Sequence, residues 1–128
     1  MKYFLDNCLS PRYARMLSAL EIGDVTSLRE HYAENLADEI WIPELGKNGW
    51  VLIGKDREQL KKPEQRQALI TNGVTAFYLA KGYDHLPLNE IAWRLVRCWP
   101  MITAMAERSR KGGLFLVQLN GKIEPLPL

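Results

Sequence analysis

The sequence predicts an α/β fold, a three-layer sandwich in which a mainly parallel central sheet of about five strands lies between helices. Short β-prone runs alternate with helical stretches from one end of the 128 residues to the other, the pattern of parallel strands joined by right-handed crossovers. Trp50-Val51-Leu52-Ile53 is a continuous apolar run of strand length, as expected of a central strand covered on both faces. Ser10-Pro11 and Pro63 each place a proline where a helix would open, directly after a strand and its loop, because a first-turn N–H has no partner to lose.

Lys2 to Leu5 is the first strand, and it ends in Asp6. After the Ser10 cap, Tyr13, Met16, Leu17 and Leu20 recur at three- and four-residue spacing and give one apolar face; Gly23 is the expected stop, with the helix ending near Glu21. Asp24 to Arg29 reads as a second strand and Glu30 to Ala37 as a loop or loose helical turn. A helix then begins at Ala37-Asp38-Glu39, with Asp38 as cap or first-turn carboxylate, where the positive end of the helix dipole favours it. Pro43 should bend or shorten that helix by removing a backbone bond, and Asn48-Gly49 closes it.

Asp56 lies just past the Trp50 to Ile53 strand. Pro63 opens a helix that stops at Asn72-Gly73, and Val74 to Leu79 is a fourth strand. Asn89 to Arg110 is helical with a bend near Pro100. Leu114 to Leu119 is the last full strand, and Asn120-Gly121 is a hairpin-type turn that returns Lys122 to Glu124 beside it. With no internal repeat or linker, residues 1–128 read as one domain.

Apolar residues at 47% and charged residues at 25% exclude disordered and membrane classes. No apolar run approaches the ~18 residues of a membrane span, and Met1 to Asp6 is interrupted too early by charge to be a signal peptide, so a cytoplasmic location is expected. Cys8 and Cys98 are then expected as buried thiols rather than a disulfide. A net charge of +2 permits a nucleic-acid partner without arguing for one.

In an open parallel sheet, ligands bind in the crevice outside the carboxyl ends of the strands. Asp6 and Asp56 stand at two such ends and meet if their strands are neighbours. Asp38 joins them if the N-terminus of its helix lies at the same rim, or if it is presented from within a helix that begins earlier. Three carboxylates in one crevice repel one another unless a cation compensates them. Oxygen ligands without Cys or His at ligand spacing suit Mg²⁺ or Mn²⁺ over zinc, and such an ion activates water for attack on a phosphodiester. The plain alternatives are solvated carboxylates at strand ends for Asp6 and Asp56 and a simple helix cap for Asp38, with Glu39 as the nearest substitute ligand.

These residues also resemble a known family. Tyr3-Phe4-Leu5-Asp6-Asn7 with Leu9-Ser10-Pro11-Arg12, then Asp38-Glu39-Ile40-Trp41, then Trp50-Val51-Leu52-Ile53-Gly54-Lys55-Asp56-Arg57 are similar in order and spacing to PIN-like domains, particularly the toxin-like group related to VapC ribonucleases. The resemblance covers roughly residues 2 to 80. It implies a Mg²⁺- or Mn²⁺-dependent ribonuclease with Asp6, Asp38 and Asp56 as metal ligands and catalytic groups, often a homodimer and often the toxin of a toxin and antitoxin pair. Gly54-Lys55 stands where the family carries Thr-Arg, and Asp84 lies further along than the fourth acid of many relatives.

Around the expected site, Asn7, Lys55 and Arg57 are candidates to touch substrate, Asn7 with an equal claim as a turn residue. Lys61 and Lys62, and a second cluster of Arg108, Arg110 and Lys111, read mainly as solvated charge, and Glu64 with Arg66 as a local ion pair. Trp41, Trp50, Trp93 and Trp99 lie in apolar patterns that favour core or dimer contact, the core first, over base stacking. His31 and His85 are too isolated for a zinc site. Two competitors stand beside the nuclease: a catalytically silent PIN-like module that binds RNA or a partner protein, and an aspartate phosphotransfer domain, which Asp6-Asn7-Cys8 does not supply with its second carboxylate.

Overall fold

Strands β1 (Lys2–Leu5), β2 (Asp24–Ser27), β3 (Val51–Gly54), β4 (Thr75–Leu79), β5 (Gly113–Val117) and β6 (Ile123–Pro125) join one sheet in the order β2-β1-β3-β4-β5-β6. The computed structural model describes residues 1–33, 36–55, 57–109 and 112–126. The first five strands are parallel and β6 returns antiparallel, pairing Ile123 with Val117. The sheet thus has six strands rather than about five, because the Asn120-Gly121 turn makes a full edge strand of the segment after it.

The helices are α1 (Pro11–Ala19), α2 (Leu28–His31), α3 (Asp38–Asn48), α4 (Pro63–Thr71) and α5 (Leu88–Arg108). Side chains alternate across the sheet and build two cores. Tyr3, Leu5, Ile53, Phe77 and Phe115 face α1 and α5, while Phe4, Leu52, Ala76, Tyr78 and Leu114 face α3 and α4. No helix among the described residues is long and apolar enough to cross a membrane.

One connection departs from uniform right-handed crossovers. Passing from β3 to β4 and from β4 to β5, the chain moves in the same direction along the sheet, yet α4 lies on one face and α5 on the other. The two crossovers therefore have opposite hands, against the usual rule. Core coverage accounts for it: α1 shares that face with α5, whose Trp99 packs on Tyr3 of β1 and whose Ile91, Leu95 and Ile102 cover what would otherwise be an exposed apolar side of the sheet.

Local departures have local causes. The second strand ends at Ser27, not Arg29, because Leu28 turns inward to the core and starts α2. In α1 the buried face is Tyr13, Ala14 and Leu17, whereas Leu20 is 52% exposed beyond the helix end. The left-handed turn after α1 falls on Glu21, with φ 57°. Gly23 is needed instead for packing, since a Cβ there would stand 2.8 Å from Trp99 Nε1. Pro43 is carried inside α3, which runs on to a left-handed Gly49 cap. Pro100 likewise lies within the 21 residues of α5.

Gly46 marks the closest approach of α3 to the end of α4: a Cβ there would lie 1.9 Å from the Asn72 carbonyl oxygen. That contact is with backbone, which cannot swing aside. Gly46→Ala should therefore lower stability by about 1–3 kcal/mol, read as a drop in the urea midpoint.

Candidate functional site

β1 and β3 are neighbours, with Leu5 opposite Ile53, and the Asp6 amide extends the ladder by donating to the Ile53 carbonyl at 2.9 Å. The sheet order reverses between these strands, since β2 lies on one side of β1 and β3 on the other. Such a reversal leaves a crevice at the carboxyl ends. Asp6 projects there, only 5% exposed, and its Oδ1 accepts from the Asn7 amide at 2.7 Å. Gly54 abuts it: a Cβ at Gly54 would lie 3.5 Å from Asp6 Oδ2.

Asp38 opens α3, but its side chain does not cap the helix; Ala37 is the cap residue and makes no side-chain bond. The carboxylate is held from two sides instead. Trp41 Nε1 donates to Oδ1 at 3.0 Å, and Gln65 Nε2, from α4, donates to Oδ2 at 2.8 Å. Both donors are neutral, so they fix the carboxylate without compensating its charge. Asp6 and Asp38 line one cavity of about 210 Å³, together with Asn7, Arg29, Tyr32 and Trp41. Asp56 lies outside the described residues.

Arg29 is not legible as a site residue when it reads as the end of a strand. With α2 formed, its guanidinium donates to the Asn7 carbonyl at 2.7 Å and brings positive charge to the cavity wall. Tyr32 is held neutral at physiological pH: burial first, then the nearby Glu44 carboxylate, push its hydroxyl up to about 12. Glu44 acts on it electrostatically, the pair falling outside strict hydrogen-bond geometry. Gln65 carries no sequence signal, since nothing in the helical pattern marks which polar residue of α4 reaches across to α3.

The other expected residues are distributed differently. Arg57 is drawn into the protein: it donates to the carbonyls of Lys55 and Leu79 and pairs with Asp84 at 2.7 Å. Asp84 is therefore an ion-pair partner, held below its usual carboxylate value by the Arg57 hydrogen bond. With Cys8, Lys55 and Glu58, this pair lines a second cavity of about 280 Å³. Cys8 borders both cavities and is exposed, contrary to the expectation of a buried thiol, while Cys98 is buried. Glu39 is exposed on the first turn of α3.

Lys61 pairs with Glu58, and Lys62 and Arg108 are exposed; Arg110 and Lys111 lie outside the described residues. Arg66 donates to the Leu60 carbonyl rather than pairing with Glu64. His31 packs edge-on to Phe4 and Trp50, and His85 is exposed. Trp41 and Trp99 are buried and Trp50 half-buried, but Trp93 is 45% exposed and not in the core.

Two carboxylates opening into one cavity, one of them almost wholly buried, suit a hard divalent cation by the chemistry of their oxygen donors. Among the described residues no three His, Cys, Asp or Glu side chains gather as a metal-binding set. A family profile described as a PIN like domain matches residues 1–81, more than half of the chain. No curated protein and no solved structure matches the chain significantly.

The geometry sets two measurable outcomes. Burial pushes the Cys98 thiol up to about 11, so in native protein at pH 8 a disulfide reagent should label Cys8 and leave Cys98 at least about 100-fold slower; two equally fast thiols would contradict the placement. The Arg57 pairing depresses the Asp84 carboxyl, so its stabilisation is present above the unfolded value near 3.8 and lost as pH falls through the folded value. Asp84→Asn should accordingly lower the melting temperature at pH 7, and the difference from wild type should shrink as the pH is taken below 3.8.

Proposed function

The chain belongs to the PIN-like domain family, a nuclease superfamily, and on that footing we propose that it is a metal-dependent endoribonuclease in which Asp6, Asp38 and Asp56 hold Mg²⁺ or Mn²⁺. The observation that carries this reading is the opening of the buried Asp6 and the doubly anchored Asp38 into one cavity at the reversal of the sheet. Carboxylate oxygens so placed are the hard donors that a divalent cation takes. Asp56 enters on sequence grounds, two residues after Gly54.

When bound, such an ion supplies an activated water and stabilises charge on the phosphate under attack. The chain's own groups would do the positioning. The Asn7 amide fixes Asp6, and Trp41 with Gln65 fixes both oxygens of Asp38. Arg29, tethered to the Asn7 carbonyl, would meet a phosphate at the cavity wall. Lys55 borders the adjoining cavity and is the other cation placed to touch substrate, Arg57 being committed to Asp84.

The finer reading, a toxin of a toxin and antitoxin pair acting as a homodimer, rests on the VapC-like motifs alone. A small inhibitory protein encoded beside this chain would support it. One observation favours the silent module instead: Gly54 sets backbone rather than a hydroxyl beside Asp6. Calorimetric titration with Mn²⁺ separates the two, because a silent module shows no carboxylate-dependent binding.

Asp6→Asn should cut RNA cleavage in Mn²⁺ by at least about 100-fold with the circular dichroism spectrum unchanged, and wild-type cleavage by that variant would sink the assignment. Gln65→Leu leaves Asp38 anchored by Trp41 alone. Its Mn²⁺ affinity should fall about 10-fold or more, and unaltered affinity would remove Gln65 from the site.

A further inference from the structure

A cavity of about 350 Å³ lies apart from the Asp6 cavity, between α5 and the turn that joins β5 to β6. It falls outside the stretch that the family profile matches. We propose that this cavity binds single-stranded RNA, one base stacking on Trp93 and the adjoining phosphate lying on Arg97, as a second contact for the strand that enters the Asp6 cavity. The choice of nucleic acid rests on the nuclease reading; the site itself rests on the side chains that line it.

Trp93 is the one exposed tryptophan of the four in the chain, yet it is firmly held. Glu90 Oε2 accepts from both Trp93 Nε1 and Arg94 Nη1 at 2.5 Å, and the Arg94 guanidinium stacks 4.2 Å from the indole centroid. One carboxylate thus fixes an indole backed by a guanidinium. An aromatic ring exposed but pre-organised is a stacking platform for a base, whose π-face it accepts without regard to sequence.

Arg97 stands one turn further along the same side of α5, exposed, and makes no ion pair among the described residues. Glu90 offsets Arg94, so the patch keeps one positive charge in excess. Asn120 presents the donor end of its amide, since its Oδ1 already accepts from the Lys122 amide at 3.0 Å. Cations and donors match a phosphodiester, which only accepts.

Topology connects this place to the first. β1, β3, β4 and β5 are parallel, so the turn at Asn120-Gly121 lies on the same edge of the sheet as Asp6. Between them the strand ends of β3 and β4 contribute Lys55 and Lys81 along that edge. An RNA strand tracking the edge would meet Lys55 and Lys81 on the way, with Asp84 already neutralised by Arg57. Exposed Met101 and Leu119 border the same cavity and would suit a protein partner, but neither accounts for the unpaired positive charge.

The test is binding of a single-stranded RNA of about 12 nucleotides to the full chain in EDTA, where cleavage is suppressed. Trp93→Ala and Arg97→Gln should each weaken binding about tenfold, Trp93→Phe should retain most of it, and Arg97→Gln should reduce the salt dependence by about one counterion. Wild-type binding by Trp93→Ala and Arg97→Gln, with their circular dichroism spectra unchanged, would overturn the proposal even if cleavage still depends on Asp6. Conversely, if Asp6→Asn cleaves normally while Trp93→Ala binds weakly, this site stands and the catalytic reading falls. Loss of self-association in Trp93→Ala with RNA binding intact would assign the surface to a second copy of the chain and overturn the proposal.

Discussion

The pairing of β1 with β3 is the constraint on which the site depends. It places Asp6 beside Gly54 at the point where the sheet order reverses, and the bond from the Asp6 amide to the Ile53 carbonyl holds the chain in register one residue beyond β1. A slip of one residue would turn Asp6 to the opposite face and send Phe4 into the wrong core. The two residues before Asp6 both contribute to that register: Leu5 is locked among α1 and α5, and Phe4 among α3 and α4. The two cores therefore fix the register that aims the carboxylate.

Asp38 is held by another kind of constraint. Its two hydrogen bonds come from different helices, Trp41 on α3 and Gln65 on α4, so its orientation reports on how those helices sit against each other. Gly46, pressed against Asn72, allows that close packing. Site geometry on this side of the sheet thus depends on a helix contact, and on the β1 side on strand register.

Much of the architecture was legible because alternation and apolar runs report directly on burial. The strand at Val51–Gly54, the proline-led openings of α1 and α4, and the β5 to β6 hairpin all emerged from local pattern. What pattern missed was tertiary. Leu28 obeys a core contact rather than its strand-like neighbours, and Trp93 lies in an apolar stretch of α5 but on its outer side. The opposite hand of the β4 to β5 crossover depends on which face lacks cover, which no single segment records. At the site, Asp6 and Asp38 were named from sequence, but Arg29 and Gln65 were not, because each reaches the cavity only through an element placed by packing.

The long helix α5 gives this domain a division of labour. Residues 1–81 carry the family's signature, yet half of the interior they build is roofed by a helix from outside that stretch. Only the inward side of that helix answers to the fold, through Ile91, Leu95, Trp99 and Ile102. Its outward side carries Trp93, tied to Glu90 and Arg94 of the same helix rather than to the core, so substitutions there would spare the packing of the sheet and be felt chiefly by whatever the protein meets. Variation among relatives should therefore be sought on that outer side, as the part of the molecule free to acquire a new habit without disturbing the old one.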